Sequence, residues 1–129
     1  MYVLDTNILI YHLNGSTRAT EFLRNRAASD CYLSAITVGE LLSFDQLDAM
    51  ALQAIEQLIS QFGTLPVDAS VARLAAEIRR VVKVSLPDAL IAATAIRMNF
   101  TLVTENLKDF RRIPNLSLTN LTKASLYLE

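Results

Sequence analysis

Apolar positions along the chain fall into short runs that alternate with helical stripes. Tyr2-Val3-Leu4 stops at Asp5, Thr6 and Asn7, the pattern of a buried strand ended by turn-forming polar groups. A helix over 7–13 follows and closes at Asn14-Gly15-Ser16. Residues 17–29 place Ala19, Phe22, Leu23 and Arg26–Ala27 at helical spacing, with Arg18, Glu21, Arg24 and Asn25 facing out. Cys31-Tyr32-Leu33-Ser34 reads as a second strand, and Thr37-Val38-Gly39-Glu40 opens a helix through about Phe44. From Asp45 to Phe62, the stripe Leu47, Met50, Ala51, Ile55, Leu58, Ile59 and Phe62 predicts an amphipathic helix with Gly63 as its stop. Thr64-Leu65-Pro66-Val67 is a third strand, placed at a sheet edge by Pro66. Asp68 caps a helix in which Val71, Leu74, Ala75, Ile78 and Val82 keep the period through Lys83. The stretch 86–99 is apolar on nearly every side, interrupted only by Arg97, as a buried helix is. Thr101-Leu102-Val103-Thr104 is the fourth strand, 106–112 a short helix, and 116–119 the fifth strand.

Strands and helices that alternate in this way predict an α/β fold, a parallel sheet with helices on both faces, in one domain over 1–129. Composition agrees: 52% hydrophobic and 19% charged residues, with 3 Gly and 3 Pro, describe a well-buried globular chain. No apolar run reaches the roughly 18–20 residues of a bilayer span, and no basic segment precedes an apolar one at the N-terminus. No membrane association is expected. The single Cys31 has no internal disulfide partner, which fits a cytoplasmic protein. A net charge of −1 gives no global support to nucleic-acid binding. Charge is nonetheless grouped: Arg79, Arg80 and Lys83 lie together, as do Lys108, Arg111 and Arg112. Each group is either a solvated helix face or a set of phosphate contacts.

The acids change the picture. In a parallel sheet all strands end on one edge, and a helix that follows a strand starts there. Asp5 and Asp109 follow the first and fourth strands. Glu40 stands in the first turn of the helix after the second, and Asp88 begins the helix that leads into the fourth. Ligand crevices form at that edge. Thr37-x-x-Glu40 and Ser85-x-x-Asp88 also match the capping box, and Asn106-x-x-Asp109 resembles it, so each acid alone has a structural reading. Asp68 is expected to be only a cap. Four carboxylates brought together repel unless a cation lies between them. Hard oxygen donors suit Mg²⁺ or Mn²⁺, while His12 and Cys31 cannot make an ordinary zinc cage.

Four segments together resemble the PIN domain, and within it the VapC-type toxin ribonucleases. They are Leu4-Asp5-Thr6-Asn7, Ser34-x-x-Thr37-x-x-Glu40-Leu41, Pro87-Asp88-Ala89-Leu90-Ile91-Ala92-Ala93-Thr94-Ala95, and Leu102-Val103-Thr104-x-Asn106-x-x-Asp109-Phe110. The resemblance covers essentially the whole chain. It implies a three-layer α/β/α sandwich with a five-stranded parallel sheet in order 3-2-1-4-5. It also implies a Mg²⁺- or Mn²⁺-dependent RNA endonuclease that leaves 5′-phosphate and 3′-hydroxyl ends. Asp5, Glu40, Asp88 and Asp109 become the catalytic set, with Asp5, Asp88 and Asp109 on the metal and Glu40 orienting water. Thr6, Asn7, Thr104 and Asn106 support them, and Arg79, Arg80, Lys83, Arg111 and Arg112 contact RNA phosphates. Implied partners are a second copy of the chain and a small antitoxin that lays a segment along an apolar groove. The exposed apolar stripes expected at 47–62 and 71–82 are the candidate surfaces.

Two departures stand out from the family pattern. Glu105 adds negative charge at the mouth of the site, and no Gly-rich turn lies between Glu40 and Leu52, which implies an altered groove. Competing readings are a metal-dependent DNA nuclease or phosphatase, a catalytically altered PIN domain that only binds RNA or protein, and a receiver-like signalling domain. The last needs a Lys after the final strand, where Asn120 and Lys123 are poor substitutes.

Overall fold

The computed structural model describes residues 1–26 and 30–122. Strands β1 (Tyr2–Leu4), β2 (Cys31–Ser34), β3 (Gly63–Leu65), β4 (Thr101–Val103) and β5 (Ser117–Thr119) form one parallel sheet in the order β3-β2-β1-β4-β5. The helices are α1 (Thr6–Leu13), α2 (Thr17–Asn25), α3 (Ala35–Leu42), α4 (Ala49–Ile59), α5 (Ala69–Val81), α6 (Leu86–Met98) and α7 (Leu107–Phe110). Three layers result because successive residues of a strand face opposite ways. Leu4 and Val103 enter one core, with Ile8, Leu9, Phe22, Leu41 and Ile55. Val3 and Leu102 enter the other, with Val71, Ala75, Ile78, Ile91 and Phe110. Helix α6 is buried from Ala89 to Ala95, as its apolar surround predicts. Among the described residues, no helix is long and apolar enough to cross a membrane.

Element boundaries moved for local reasons. The helix expected from Asp45 starts at Ala49, because Gln46 turns the chain at φ 64° and Asp48 Oδ1 then accepts the Ala51 N–H at 2.7 Å. Gln46 thus makes without glycine the turn for which a Gly-rich segment was expected. Met50 lies five residues before Ile55, on the far side of α4, and is 81% exposed. Gly63 is not the stop of α4, which ends at Ile59 with Ser60 as its cap. It opens β3 instead, where an added Cβ would lie 2.8 Å from the Tyr32 ring. Strand β3 sits at the sheet edge and ends one residue before Pro66, which has no N–H to pair. Helix α5 stops at Val81 rather than Lys83, because Val82 turns extended. Its stripe is largely consumed by the core, with Val71, Ala75 and Ile78 buried, and of the expected open surface at 71–82 Val81 is exposed beside a depression lined by Leu74 and Ile78. The end of the helix expected over 17–29 and Lys123 lie outside the described residues.

Candidate active site

Parallel pairing carries the ends of β1, β2 and β4 to one sheet edge, and β1, the middle strand, delivers Asp5 there. The Asp5 N–H extends the ladder by donating to Val103 O at 2.9 Å. Asp5 thereby lies beside Thr104, whose hydroxyl donates to Asp5 Oδ2 at 2.7 Å. Thr104 Oγ1 in turn accepts the Asn106 N–H at 2.9 Å, and Asn106 Nδ2 donates to Asp109 Oδ2 at 2.7 Å. Asn106 therefore holds two of the acids, one directly and one through Thr104.

On the other side of Asp5, Thr6 Oγ1 donates to Glu40 Oε1 at 2.7 Å and lies 2.9 Å from Thr37 Oγ1. The expected capping box of Thr37 with Glu40 is not formed. Ser34, the last residue of β2, already caps α3 by accepting the Ile36 N–H at 3.2 Å. Helix α3 therefore begins at Ala35, and Glu40 stands beyond its first turn. In α6, Ser85 does act as the cap, accepting the Asp88 N–H at 3.2 Å. Neither Asp5 nor Asn106 makes a side-chain cap bond at the helix it precedes. Asp68 does, accepting the Val71 N–H at 2.9 Å, as its reading as a plain cap requires. Capping therefore accounts for Asp68 and in part for Asp88, and leaves Asp5, Glu40 and Asp109 without that reading.

Their electrostatics point the same way. Asp5 is 3% exposed, and burial pushes its pKa up to about 6. The Thr104 hydroxyl and Thr6 N–H pull it down, while the charges of Asp88 and Glu40 push it up further. Asp88 is also raised, first by burial and then by Glu40 and Asp109, against a hydrogen bond from Ser85. The four acids thus act on one another in a connected series. Among the described residues, no three acids, histidines or cysteines are arranged so that together they could hold a metal ion. The carboxylates instead stand near enough to act on one another's charge. An all-oxygen, mutually repelling set of this kind fits Mg²⁺, which keeps several waters and binds through one or two carboxylates.

Exposed Asp109 faces a cleft of about 350 Å³ that it shares with Val81, Val82, Lys83, Lys108, Arg111 and Arg112. A second depression, of about 330 Å³, continues past Lys83 to Arg79 and Arg80. The predicted basic residues therefore line two adjoining depressions, one of which reaches Asp109, although Arg79 also spends Nε on Val84 O at 3.0 Å. Lys108 lines the cleft too and was missing from the predicted contacts; its spacing of three from Arg111 in the chain was the available signal. Glu105, expected to add charge at the mouth, has Oε1 on the Leu121 N–H at 2.7 Å. Asn7 is exposed on α1, outside the hydrogen bonds that join the acids. An apolar groove of about 450 Å³ opens at the far end of α1, between Ile10, Leu13 and Asn14 and the residues Phe44, Leu47, Ala51, Ala54 and Ile55.

A parallel sheet in order 3-2-1-4-5, with carboxylates gathered at the carboxyl end of its middle strand, defines a class of acidic-crevice α/β domains. The PIN domain model matches residues 2–116, and the chain belongs to that family. Ribonuclease VapC2 of Rickettsia felis is 30% identical over 95% of this chain and 99% of that protein. A toxin-antitoxin complex from Klebsiella pneumoniae is similar at TM-score 0.81 and 29% identity, covering 94% of this chain and 98% of that one. VapBC2 from Rickettsia felis, bound to a DNA fragment from their promoter, gives TM-score 0.81 and 30% identity, over 92% and 97%.

Proposed function

We propose that this chain is a divalent-metal-dependent RNA endonuclease, the toxin of a toxin–antitoxin pair, acting in the cytoplasm as a single domain over 1–129. The observation that carries the reading is Asp5, a carboxyl buried at the end of the central strand and pushed up to about pKa 6 among Asp88 and Glu40. A fold retains such a group at neutral pH when a cation compensates it. Relatives named ribonuclease VapC and neighbours solved as toxin–antitoxin complexes support the same reading.

In this reading Asp5, Asp88 and Asp109 would hold Mg²⁺ or Mn²⁺, which would supply a Lewis acid to acidify water and offset charge on the phosphoryl group. Thr104 and Asn106 fix Asp5 and Asp109 for that task. Glu40, with Oε1 held by Thr6, leaves Oε2 to orient the attacking water and take its proton. Water attacks phosphorus as its proton passes to Glu40, and the bond to the 3′ oxygen breaks, that oxygen taking a proton from solvent, leaving a 5′-phosphate and a 3′-hydroxyl. Lys83, Arg111 and Arg112, with Arg79 and Arg80 further along, contact phosphates on one side of the cut, which positions RNA without reading its sequence. Asn7, exposed at the start of α1, remains a supporting polar group.

The apolar groove beside Phe44 is the place for an antitoxin segment, and a second copy of the chain is the other partner. The binding-only alternative was motivated by Glu105, whose Oε1 is engaged by the Leu121 N–H. The deciding experiment is multiple-turnover cleavage of RNA by the purified chain with Mg²⁺ or Mn²⁺, with EDTA, and with Asp5→Asn. Cleavage lost with EDTA and with Asp5→Asn is expected. Cleavage that persists in chelator, or DNA cut in preference to RNA, sinks the proposal.

A further inference from the structure

Thr37 has no part in the roles assigned above, yet its hydroxyl is wholly buried beside them. Thr37 Oγ1 lies 2.9 Å from Thr6 Oγ1, and Thr6 Oγ1 donates to Glu40 Oε1 at 2.7 Å. A threonine hydroxyl carries one proton and two lone pairs, and an ionised carboxylate only accepts. The proton of Thr6 is thus committed to Glu40, so the contact between the two threonines uses the proton of Thr37. The hydrogen bonds run in one direction, from Thr37 to Thr6 to Glu40.

We infer that Thr37 is a positioning residue for Glu40, acting through Thr6 to aim the carboxylate that orients the attacking water. Glu40 acts electrostatically on both Asp5 and Asp88, so repulsion drives it away from the place where the proposed reaction needs it. The Thr6 hydroxyl holds it there. A hydroxyl is a rotor, and by donating to its oxygen Thr37 fixes that rotor toward Glu40. In a buried setting the same donation also polarises the Thr6 O–H and strengthens its bond to the carboxylate. Thr37 and Glu40 stand three residues apart on α3, on one helical face, so a single rigid element sets both ends of the relay. The inference rests on the nuclease reading of the site.

Thr37→Val removes the proton at nearly constant shape, and Thr37→Ser keeps it. With RNA and Mn²⁺, Thr37→Val should lower kcat about tenfold or more with KM changed less than about twofold, and Thr37→Ser should stay within about threefold of wild type. Mn²⁺ alone, titrated calorimetrically, should bind Thr37→Val and wild type with Kd values within about twofold, because the three metal-holding acids are untouched. In a Thr6→Val background, adding Thr37→Val should change kcat by less than about twofold, since the relay is already cut. Thr37→Ala replaces valine if valine disturbs the packing. Unchanged kcat in Thr37→Val overturns the inference. So does a Thr37→Ser variant as slow as Thr37→Val, or joint loss of kcat and Mn²⁺ affinity, either of which marks Thr37 as packing only. A wild-type chain with no metal-dependent cleavage overturns the nuclease reading itself, a different result.

Discussion

Asp5 is where chemistry and stability meet. An unfolded chain releases its aspartate protons near pH 3.9, whereas burial holds this one until about pH 6. Folding therefore favours the protonated form. Its contribution is fully present below about pH 4 and is lost as pH rises through about 6, leaving a penalty of about 3 kcal/mol in metal-free protein at neutral pH. In urea titrations with EDTA, Asp5→Asn should be more stable than wild type at pH 7.5, and the gap should close toward pH 4. An Asp5→Asn variant less stable than wild type at pH 7.5 would contradict this account. Thr104→Val removes the hydroxyl that lowers the Asp5 pKa. Its Mn²⁺ affinity by calorimetry should fall below wild type by more at pH 6.5 than at pH 8, and an equal loss at both would refute the coupling. Asp5 was legible in sequence as the end of an apolar run and Asp88 as the start of the stretch 86–99, whereas Glu40 and Asp109 joined them through their place near predicted helix starts and the family resemblance. The place of Thr37 was not legible. Its spacing from Glu40 mimics a capping box, and which residue caps α3 depends on where β2 ends, which pairing with β3 decides some thirty residues away.

At the level of elements, periodicity located every strand and helix of the described residues, and the ends were set by groups that periodicity does not see. Asp48 and Gln46 trimmed α4, and Ser34 advanced α3. Sheet order came from family resemblance, since short strands carry no address for their neighbours. Gly63 shows how one missing side chain lets an edge strand dock. A Cβ there would meet Tyr32 Cδ1 at 2.8 Å and Cε1 at 2.9 Å, and that ring is braced by Phe100 at 5.1 Å between centroids. Gly63→Ala should therefore lower stability by roughly 1–3 kcal/mol, the usual cost of forcing extra volume into a packed site. Thermal unfolding at fixed pH checks this, and a neutral or stabilised variant would mean that Tyr32 swings aside freely.

For the molecule as a whole, the net charge of −1 conceals a division of labour. Carboxylates gather at the end of the central strand and cations form a wall of the cleft that Asp109 faces, so positive charge is concentrated locally. Reversing that wall with Arg111→Glu and Arg112→Glu should weaken RNA binding alike for all sequences. The dependence of log affinity on log salt should flatten by about one unit per lost phosphate contact. Filter binding across a salt series measures both, and an unchanged slope would move the substrate path elsewhere. The bond between Thr104 and Asp5 spans 99 residues of chain. Asp5 is made 99 residues before the threonine that holds it, and Asn106 and Asp109 are made later still. A chain that stops between them has neither the Thr104 hydroxyl on Asp5 nor the Asp109 carboxylate, so the set of acids forms only when both ends of this stretch are present.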